Sequence, residues 1–450
     1  MKRILFISYY FSPSGESGMQ RSLKFVKYLP TYGWEPVVMT IKDNRYNTGR
    51  MDYASLKEIP DMVRIYRTGM IHLLSTLSRI SHNLYRKRDG LKNIHNKQVN
   101  TVDIVNSANH SIKKQLMDVL TIPDRYNGWF LFAISNGIRI ILKEKPNVIF
   151  STSPPATSHI IALFLKMVFG IPWVADFRDP WVSIMADTNK FKYRVNSCIE
   201  REVINKANIV IANTHSLREC FIKSYKFSNP ESKFTVLTNG YDSSDFQSFE
   251  NATDSKEMEF VISHTGEFYD DIRTPDNFMI AISQLINENF ITPDKIKINL
   301  VGGGDYTKTT KFDEFLKGLG LTETINVIDF VPHRQSVEYL YNSTVLLLLQ
   351  TSSMANFQIP AKAFEYIGIG KPILTVAPTD GATADLIRKT GTGIIAQPNN
   401  LESIKNAILR FYQEYKQDDL KKYRNEQAMQ DYNRKDLTRV LSELLDDVVS

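Results

Sequence analysis

The sequence predicts an α/β protein made of two doubly wound domains of similar size. Three observations predict it. Short apolar segments bounded by turn residues alternate with helical patterns nearly throughout the chain. Those segments are apolar at consecutive positions, as parallel strands covered on both faces are. One stretch, NGYDSSDFQSFENATDSKE (239–257), is polar and poor in aliphatic residues, and it divides the strand candidates into two sets of six.

In the first set the strands are read at 3–11, 35–41, 147–153, 173–179, 208–214 and 233–240. In the second they are read at 259–268, 297–304, 326–331, 345–350, 372–378 and 392–397. The expected organisation is a domain over 1–240, a linker over 241–257 and a domain over 258–425. A helical segment over 426–450 follows, whose apolar face suits packing back on the first domain. Two doubly wound sheets would present the carboxyl ends of their strands to one central cleft, so the informative residues are those just after each strand.

Composition bounds the function. The chain has 450 residues, 42% hydrophobic and 23% charged, which is globular and enough for two or three domains. Cys198 and Cys220 are too few for a disulfide framework and have no metal-ligand neighbours, which fits a reducing compartment. The opening MKRILFISYYFSPSG has a basic start and an apolar run, but Pro13 interrupts it and no small-residue cleavage site follows. It reads as a first strand rather than a signal peptide. The longest apolar run, 160–175, contains Lys166, Gly170 and Pro172 and is too short and broken to span a bilayer. The expectation is a soluble, cytoplasmic protein.

Charge is uneven. Residues 64–114 hold ten Lys or Arg and two Asp, a surplus that exceeds the +6 of the whole chain. Within this segment Ile71, Leu74, Leu77 and Ile80 recur at helical spacing. Two readings stand: a basic amphipathic helix lying on an anionic membrane surface, or a surface helix packing its stripe on the core. Nucleic acid is not expected as a partner, because no recognised binding motif accompanies the charge.

The strand ends carry the chemistry. After the first strand, Gly15, Ser17 and Gly18 precede a helix that opens with Gln20 and Arg21. Such a loop can hold a phosphate or a sugar hydroxyl, although it has neither the dinucleotide fingerprint nor the P-loop spacing. ADFRDPW (175–181) places Asp176, Arg178 and Asp179 together, either as an ion pair ordering the loop or as ligand-facing groups. His159, after STSPPATS near a helix start, is a catalytic candidate with a structural alternative. In the second half, Gly266 ends one strand ahead of Arg273, and Gly302 and Gly303 end the next. Glycines there let a ligand approach the backbone, and an arginine suits a diphosphate. In NFQIPAKAFEYIGIGKPIL (356–374), Lys362 and Glu365 lie three residues apart near a helix start, either paired with each other or set for a ligand.

Together these stretches resemble the retaining nucleotide-sugar glycosyltransferases of the GT-B fold, family 4, in the branch associated with bacterial surface polysaccharides. QRSLKFVKYLPTYGWEPVVMT, VADFRDPW, TNGYD and IPAKAFEYIGIGKPIL carry the resemblance over nearly the whole length. It implies transfer of a sugar from a nucleotide-sugar to a glycan or lipid-linked acceptor with retention, at the inner face of the membrane, without a metal or other cofactor. Glu365 would bind the donor ribose, and Arg273 and Lys362 the diphosphate. The 15–18 loop would face donor phosphates or acceptor, with Asp176 to Asp179 on the acceptor side. The family's first glutamate falls at Phe357, so Gln358 or the backbone would take over its role at the donor sugar. The rivals are an oxidoreductase, which the missing fingerprint disfavours, a GT-B sugar epimerase, and a non-catalytic nucleotide-sugar-binding or partner subunit.

Overall fold

Among the described residues, seven strands form one sheet and six the other, and every named strand pairs in parallel. The computed structural model describes residues 1–46, 51–72, 118–185, 189–246, 249, 259–268, 274–351 and 356–450. The chain divides into two compact units. Unit 1 comprises Met1–Asn213, Arg218–Leu237 and Thr438–Ser450, and unit 2 comprises Thr214–Leu217 and Thr238–Leu437. Among the described residues, no helix is long and apolar enough to cross a membrane.

In unit 1 the sheet runs β3 (Arg64–Thr68), β2 (Trp34–Ile41), β1 (Lys2–Ile7), β4 (Val148–Ser153), β5 (Trp173–Phe177), β6 (Ile209–Ala212) and β7 (Phe234–Val236). The helices include α1 (Ser17–Tyr28), α2 (Phe130–Glu144), α3 (Thr157–Phe169), α4 (Lys190–Lys206) and, from Arg218 onward, α5 (His215–Ser224). Every residue of β4 and β5 is buried, which explains their apolar or small-residue sequences, with Asp176 of β5 as the exception. Strand β3 is not among the expected strands. RIYRT has no apolar run, because it is an edge strand with four half-buried positions. Arg64 is held there by Glu35 and Glu144.

In unit 2 the order is β10 (Ile325–Ile328), β9 (Ile296–Val301), β8 (Phe260–Thr265), β11 (Val345–Leu349), β12 (Ile373–Val376) and β13 (Gly393–Ala396). Its helices include α6 (Asp276–Asn287), α7 (Thr310–Gly318), α8 (His333–Tyr341), α9 (Ala361–Ile369), α10 (Ala382–Thr390), α11 (Leu401–Lys416) and α12 (Glu426–Asp431). One core packs α6, α7 and α11 on one face of the sheet, centred on Leu285, Ile298, Leu347 and Phe411. The other, with Val337, Leu346, Phe364 and Leu386, packs α8, α9 and α10 on the opposite face. In each sheet the strand order reverses at one place, between β1 and β4 and between β8 and β11, which is where doubly wound sheets bind ligands.

One expectation needs correction. The segment 241–257 is not a free linker where the structure describes it. Tyr241 and Phe246 are buried and stacked 5.6 Å apart, and Phe249 stacks on Tyr341 at 5.4 Å. Composition registers the polar residues between these rings, whereas the rings set the packing. Gly368 admits the Tyr241 ring, which any Cβ at that position would strike. The closing helix α13 (Arg434–Val449) is divided between the units: residues from Thr438 onward group with unit 1, where Lys2 Nζ lies 2.8 Å from Asp446 Oδ1. The expected basic helix within 64–114 lies outside the described residues from 73 onward.

Leu347 is fully buried at the centre of β11. Leu347→Ala should lower the unfolding free energy by about 2–5 kcal/mol, measurable by urea titration, with an unchanged denaturant slope if the fold persists.

Candidate active site

Two neighbouring strand ends of unit 2 turn on glycine. Gly266 after β8 has φ 107°, and after β9 Gly302 has φ 76° and Gly304 has φ 71°, a region that costs glycine little. Gly266 N donates to Val301 O at 2.7 Å and Gly302 N to Ile328 O at 2.8 Å, tying the ends of β8, β9 and β10 together. Gly303 gives room to Thr307, which a Cβ would strike.

Lys362 rises into this place from the first turn of α9, a helix started at Pro360 and ended by Gly370 in the left-handed region. Its Nζ donates to the Thr265 carbonyl and lies 3.5 Å from His264 Nε2. A side chain on Gly266 would collide with that Nζ. His264 is fully buried, and its Nδ1 lies 2.8 Å from Leu347 O. A carbonyl only accepts, so Nδ1 carries the proton and Nε2 turns a lone pair toward the ammonium. Tyr366 Oη, 3.3 Å from Thr265 N, braces the same strand end.

Glu365 follows Lys362 within one turn of α9, and its partner is His333, with Oε1 2.7 Å from Nε2. His333 opens α8, directly after Pro332. Only that proline separates it from the strand read at 326–331. Inspecting the residues after each strand would therefore have found it, although the motifs singled out in the sequence do not include it. His264 gives no such signal, because it lies inside β8. Gln358 is half-buried, and its carbonyl accepts from Gln350 Nε2 at 3.0 Å, which fixes the turn ahead of Pro360. Arg273 lies outside the described residues. Elsewhere in unit 2, a cavity of about 840 Å³ has Thr351, Thr379, Asp380, Gln397, Asn399 and Glu402 in its wall.

Of the two readings of the unit 1 charges, the structure shows the structural ion pair, with Arg21 rather than Arg178 as the partner of Asp176. Asp176 is fully buried, and Arg21 grips it with two bonds, Nε to Oδ2 at 3.0 Å and Nη2 to Oδ1 at 2.7 Å. Thr152 Oγ1 donates to Asp176 at 2.7 Å, and Arg21 Nη2 also donates to Leu237 O at 2.8 Å. Arg178 is buried too, and donates to the carbonyls of Ser153, Gly18 and Pro154. Its guanidinium takes the space a Cβ on Gly18 would need. Thus Asp176, Arg21 and Arg178 are corrected from acceptor-facing groups to a network joining α1, β4 and β5. A buried charge demands such pairing. Gly15 and Gln20 are exposed, Asp179 is half-buried, and Ser17 begins α1.

His159 is likewise corrected from a catalytic candidate to a core residue. It is fully buried, its Nδ1 lies 2.7 Å from Ser151 Oγ, and its ring packs 4.4 Å from that of Phe177. Burial, opposed by Asp176 and helped by Arg178, pushes its pKa down to about 3.

Two family models match adjoining parts of the sequence. Residues 81–245 match "Glycosyltransferase Family 4" and residues 246–431 match "Glycosyl transferases group 1". The protein is a glycosyltransferase of the GT-B fold. Solved structures agree on the fold. A glycosyltransferase from Rickettsia africae ESF-5 superposes with a TM-score of 0.65 at 15% identity, covering 100% of this chain and 99% of that one. Sucrose-phosphate synthase from Thermosynechococcus elongatus gives 0.63 at 12% identity, covering 99% of each. Anabaena Alr3699/HepE in complex with UDP gives 0.61 at 15%, covering 99% and 100%. No curated protein matches the glycosyltransferase significantly.

Two outcomes follow from the buried groups. Arg21→Met should cost about 3–5 kcal/mol by leaving Asp176 buried without its cation, whereas Arg21→Met with Asp176→Leu should recover part of the loss in a double-mutant cycle. For His159, the folded pKa near 3 lies below the ordinary 6.5, so the unfolded chain binds the extra proton. Stability is therefore fully present above pH 6.5 and falls toward pH 3, by up to about 1.4 kcal/mol per pH unit. His159→Phe should flatten that limb of the pH–stability curve by one proton.

Proposed function

We propose that this glycosyltransferase uses a nucleotide-sugar donor held at the carboxyl ends of β8, β9 and β11, and transfers the sugar with retention to a glycan or lipid-linked acceptor. The observation that carries the reading is Lys362. Its ammonium is held between the Thr265 carbonyl and His264 Nε2, beside three glycines in the left-handed region and at the start of a helix. That combination suits a diphosphate: fixed positive charge, backbone open to close approach, and helix N–H groups nearby. Glu365 offers a carboxylate to ribose hydroxyls, in exchange for its contact with His333. The Anabaena relative in complex with UDP lends support to a nucleotide ligand.

In this reading the bond from the anomeric carbon to the diphosphate oxygen breaks, and a bond to the acceptor oxygen forms on the same face. The acceptor hydroxyl proton passes to the departing diphosphate. Lys362 stabilises the charge that develops on the leaving group, with Arg273 as the second cation in place of a divalent metal. No protein nucleophile takes part, so the enzyme works by positioning and electrostatics. The acceptor in surface-polysaccharide assembly, at the cytoplasmic face of the membrane, belongs to the same proposal.

Phe357, where the family has its first glutamate, favours a second reading, a non-catalytic nucleotide-sugar-binding subunit. One panel separates them. UDP, GDP and their sugars should be tested by thermal shift and turnover on wild type and Glu365→Ala. At a hundred times its Kd a ligand stabilises by about 2.7 kcal/mol, and this shift should largely vanish in the variant. Turnover should fall by about a hundredfold or more, roughly 2.7 kcal/mol of transition-state stabilisation, with the ligand-free melting temperature unchanged. Unchanged turnover would remove Glu365 from the site. Binding without turnover across acceptors would favour the non-catalytic reading.

A further inference from the structure

The carboxyl ends of three neighbouring strands of unit 2 meet in the cavity of about 840 Å³. Thr351 follows β11; Pro378, Thr379 and Asp380 follow β12; Gln397, Pro398 and Asn399 follow β13. Gln284 of α6 and Leu401 of α11 also line it. Its volume falls in the range of small-molecule sites, roughly 300–1,000 Å³. The protein itself holds the frame. Asn277 Nδ2 donates to Pro398 O at 2.8 Å, tying α6 to the loop after β13. Gln397 N donates to Ser403 Oγ at 3.1 Å, and Asn400 Oδ1 caps α11 by accepting from Ser403 N at 2.9 Å.

The lining is rich in amides, hydroxyls and carboxylates, and among the described residues it has no Lys or Arg. The cations that flank it are engaged elsewhere. Arg388 of α10 lies 2.8 Å from Asp385 and donates to the Thr379 carbonyl. Lys405 of α11 reaches Glu288 at 2.8 Å and Glu402 at 3.2 Å. Glu402 is thereby partly neutralised, which leaves Asp380 as the exposed acid of the wall. Amide side chains both donate and accept, as Gln284, Gln397 and Asn399 can here, while a carboxylate only accepts. Pro378, Pro398 and Leu401 add small apolar surfaces between these groups.

We propose that this cavity binds a neutral saccharide, with Asp380, Gln284 and Asn399 bonding to its hydroxyls and the two prolines packing on its C–H face. Chemistry separates this ligand from the others at hand. A nucleotide or phosphate would bring negative charge to Asp380 and Glu402 with no lining cation to balance it. An apolar ligand would leave the amides and carboxylates without partners. A saccharide offers hydroxyls that donate and accept, and carries apolar C–H groups besides. The site is separate from the donor site at Lys362. Strands β12 and β13 are two and three places from β8 in the sheet, about 10–14 Å away at ordinary strand spacing. A glycan held there could extend along the strand ends, away from the reacting hydroxyl. That role rests on the transferase reading, whereas the binding does not.

The test is saturation-transfer NMR on the full-length protein with maltotriose, cellotriose, mannotriose and chitotriose, and with anionic trigalacturonic acid for comparison. At least one neutral trisaccharide should receive saturation, and trigalacturonic acid should receive little. Asp380→Ala and Gln284→Ala should each raise the Kd of the bound trisaccharide about tenfold, the worth of one strong hydrogen bond. Circular dichroism and the nucleotide-induced melting shift should match wild type in both variants. Absence of that shift in wild type would count against the donor reading alone. The saccharide assignment would be overturned if no neutral trisaccharide bound, or if the variants bound it like wild type. Equal binding of trigalacturonic acid would also overturn it, since the lack of a lining cation is half of the argument.

Discussion

A parallel sheet covered on both faces has no place for a reacting group along its length. Everything else in this protein depends on that constraint. Strands such as β4, β5, β8, β11 and β12 are buried at every position, so polar side chains inside them must be satisfied by other protein groups. His264 and Asp176 illustrate the rule, one bonded to Leu347 O and the other to Arg21 and Thr152. Ligand chemistry is displaced to the strand ends, where backbone groups leave the ladder and glycine can turn the chain.

The two units meet this constraint with different uses of charge. In unit 1 the cations after β1 and β5 are turned inward. Arg21 and Arg178 join α1 to the sheet and leave little guanidinium for a ligand. In unit 2 the cation at the strand ends is a lysine on the first turn of α9, only partly buried, with its position set by two acceptors. Arginine suits the first task because its planar fork satisfies several fixed acceptors at once. Lysine suits the second because a compact ammonium on a flexible stem can meet a phosphate. The buried pair in unit 1 gives order to a loop, whereas Lys362 gives the strand ends of unit 2 their charge.

The outer surface follows a different logic from the sheets. Helices α2, α3 and α4 carry apolar residues on both their inner and outer stripes, and the acids that could balance their cations are mostly turned inward. On α3, Met167 and Val168 stand exposed directly after the partly buried Lys166.

The sequence by itself determined the two sets of parallel strands, because runs such as VLLLL and WVADF suit strands covered on both faces, and helical patterns between them supply the crossover that parallel neighbours need. It also determined where to look: Gly266, Gly302, Gly303, Lys362 and Glu365 were legible from their positions after strands. Only the tertiary structure decided which charges were committed to folding. Nothing in ADFRDPW says that Asp176 faces Arg21, 155 positions away, because a pairing across that separation depends on how α1 lies on β5. The same holds for His333, which is brought to Glu365 by the packing of α8 beside α9. Strand β3 and the ring of Phe249 escaped for a related reason: Arg64 is held by Glu144 and Phe249 by Tyr341, both far away in the chain, and local pattern carries no record of them.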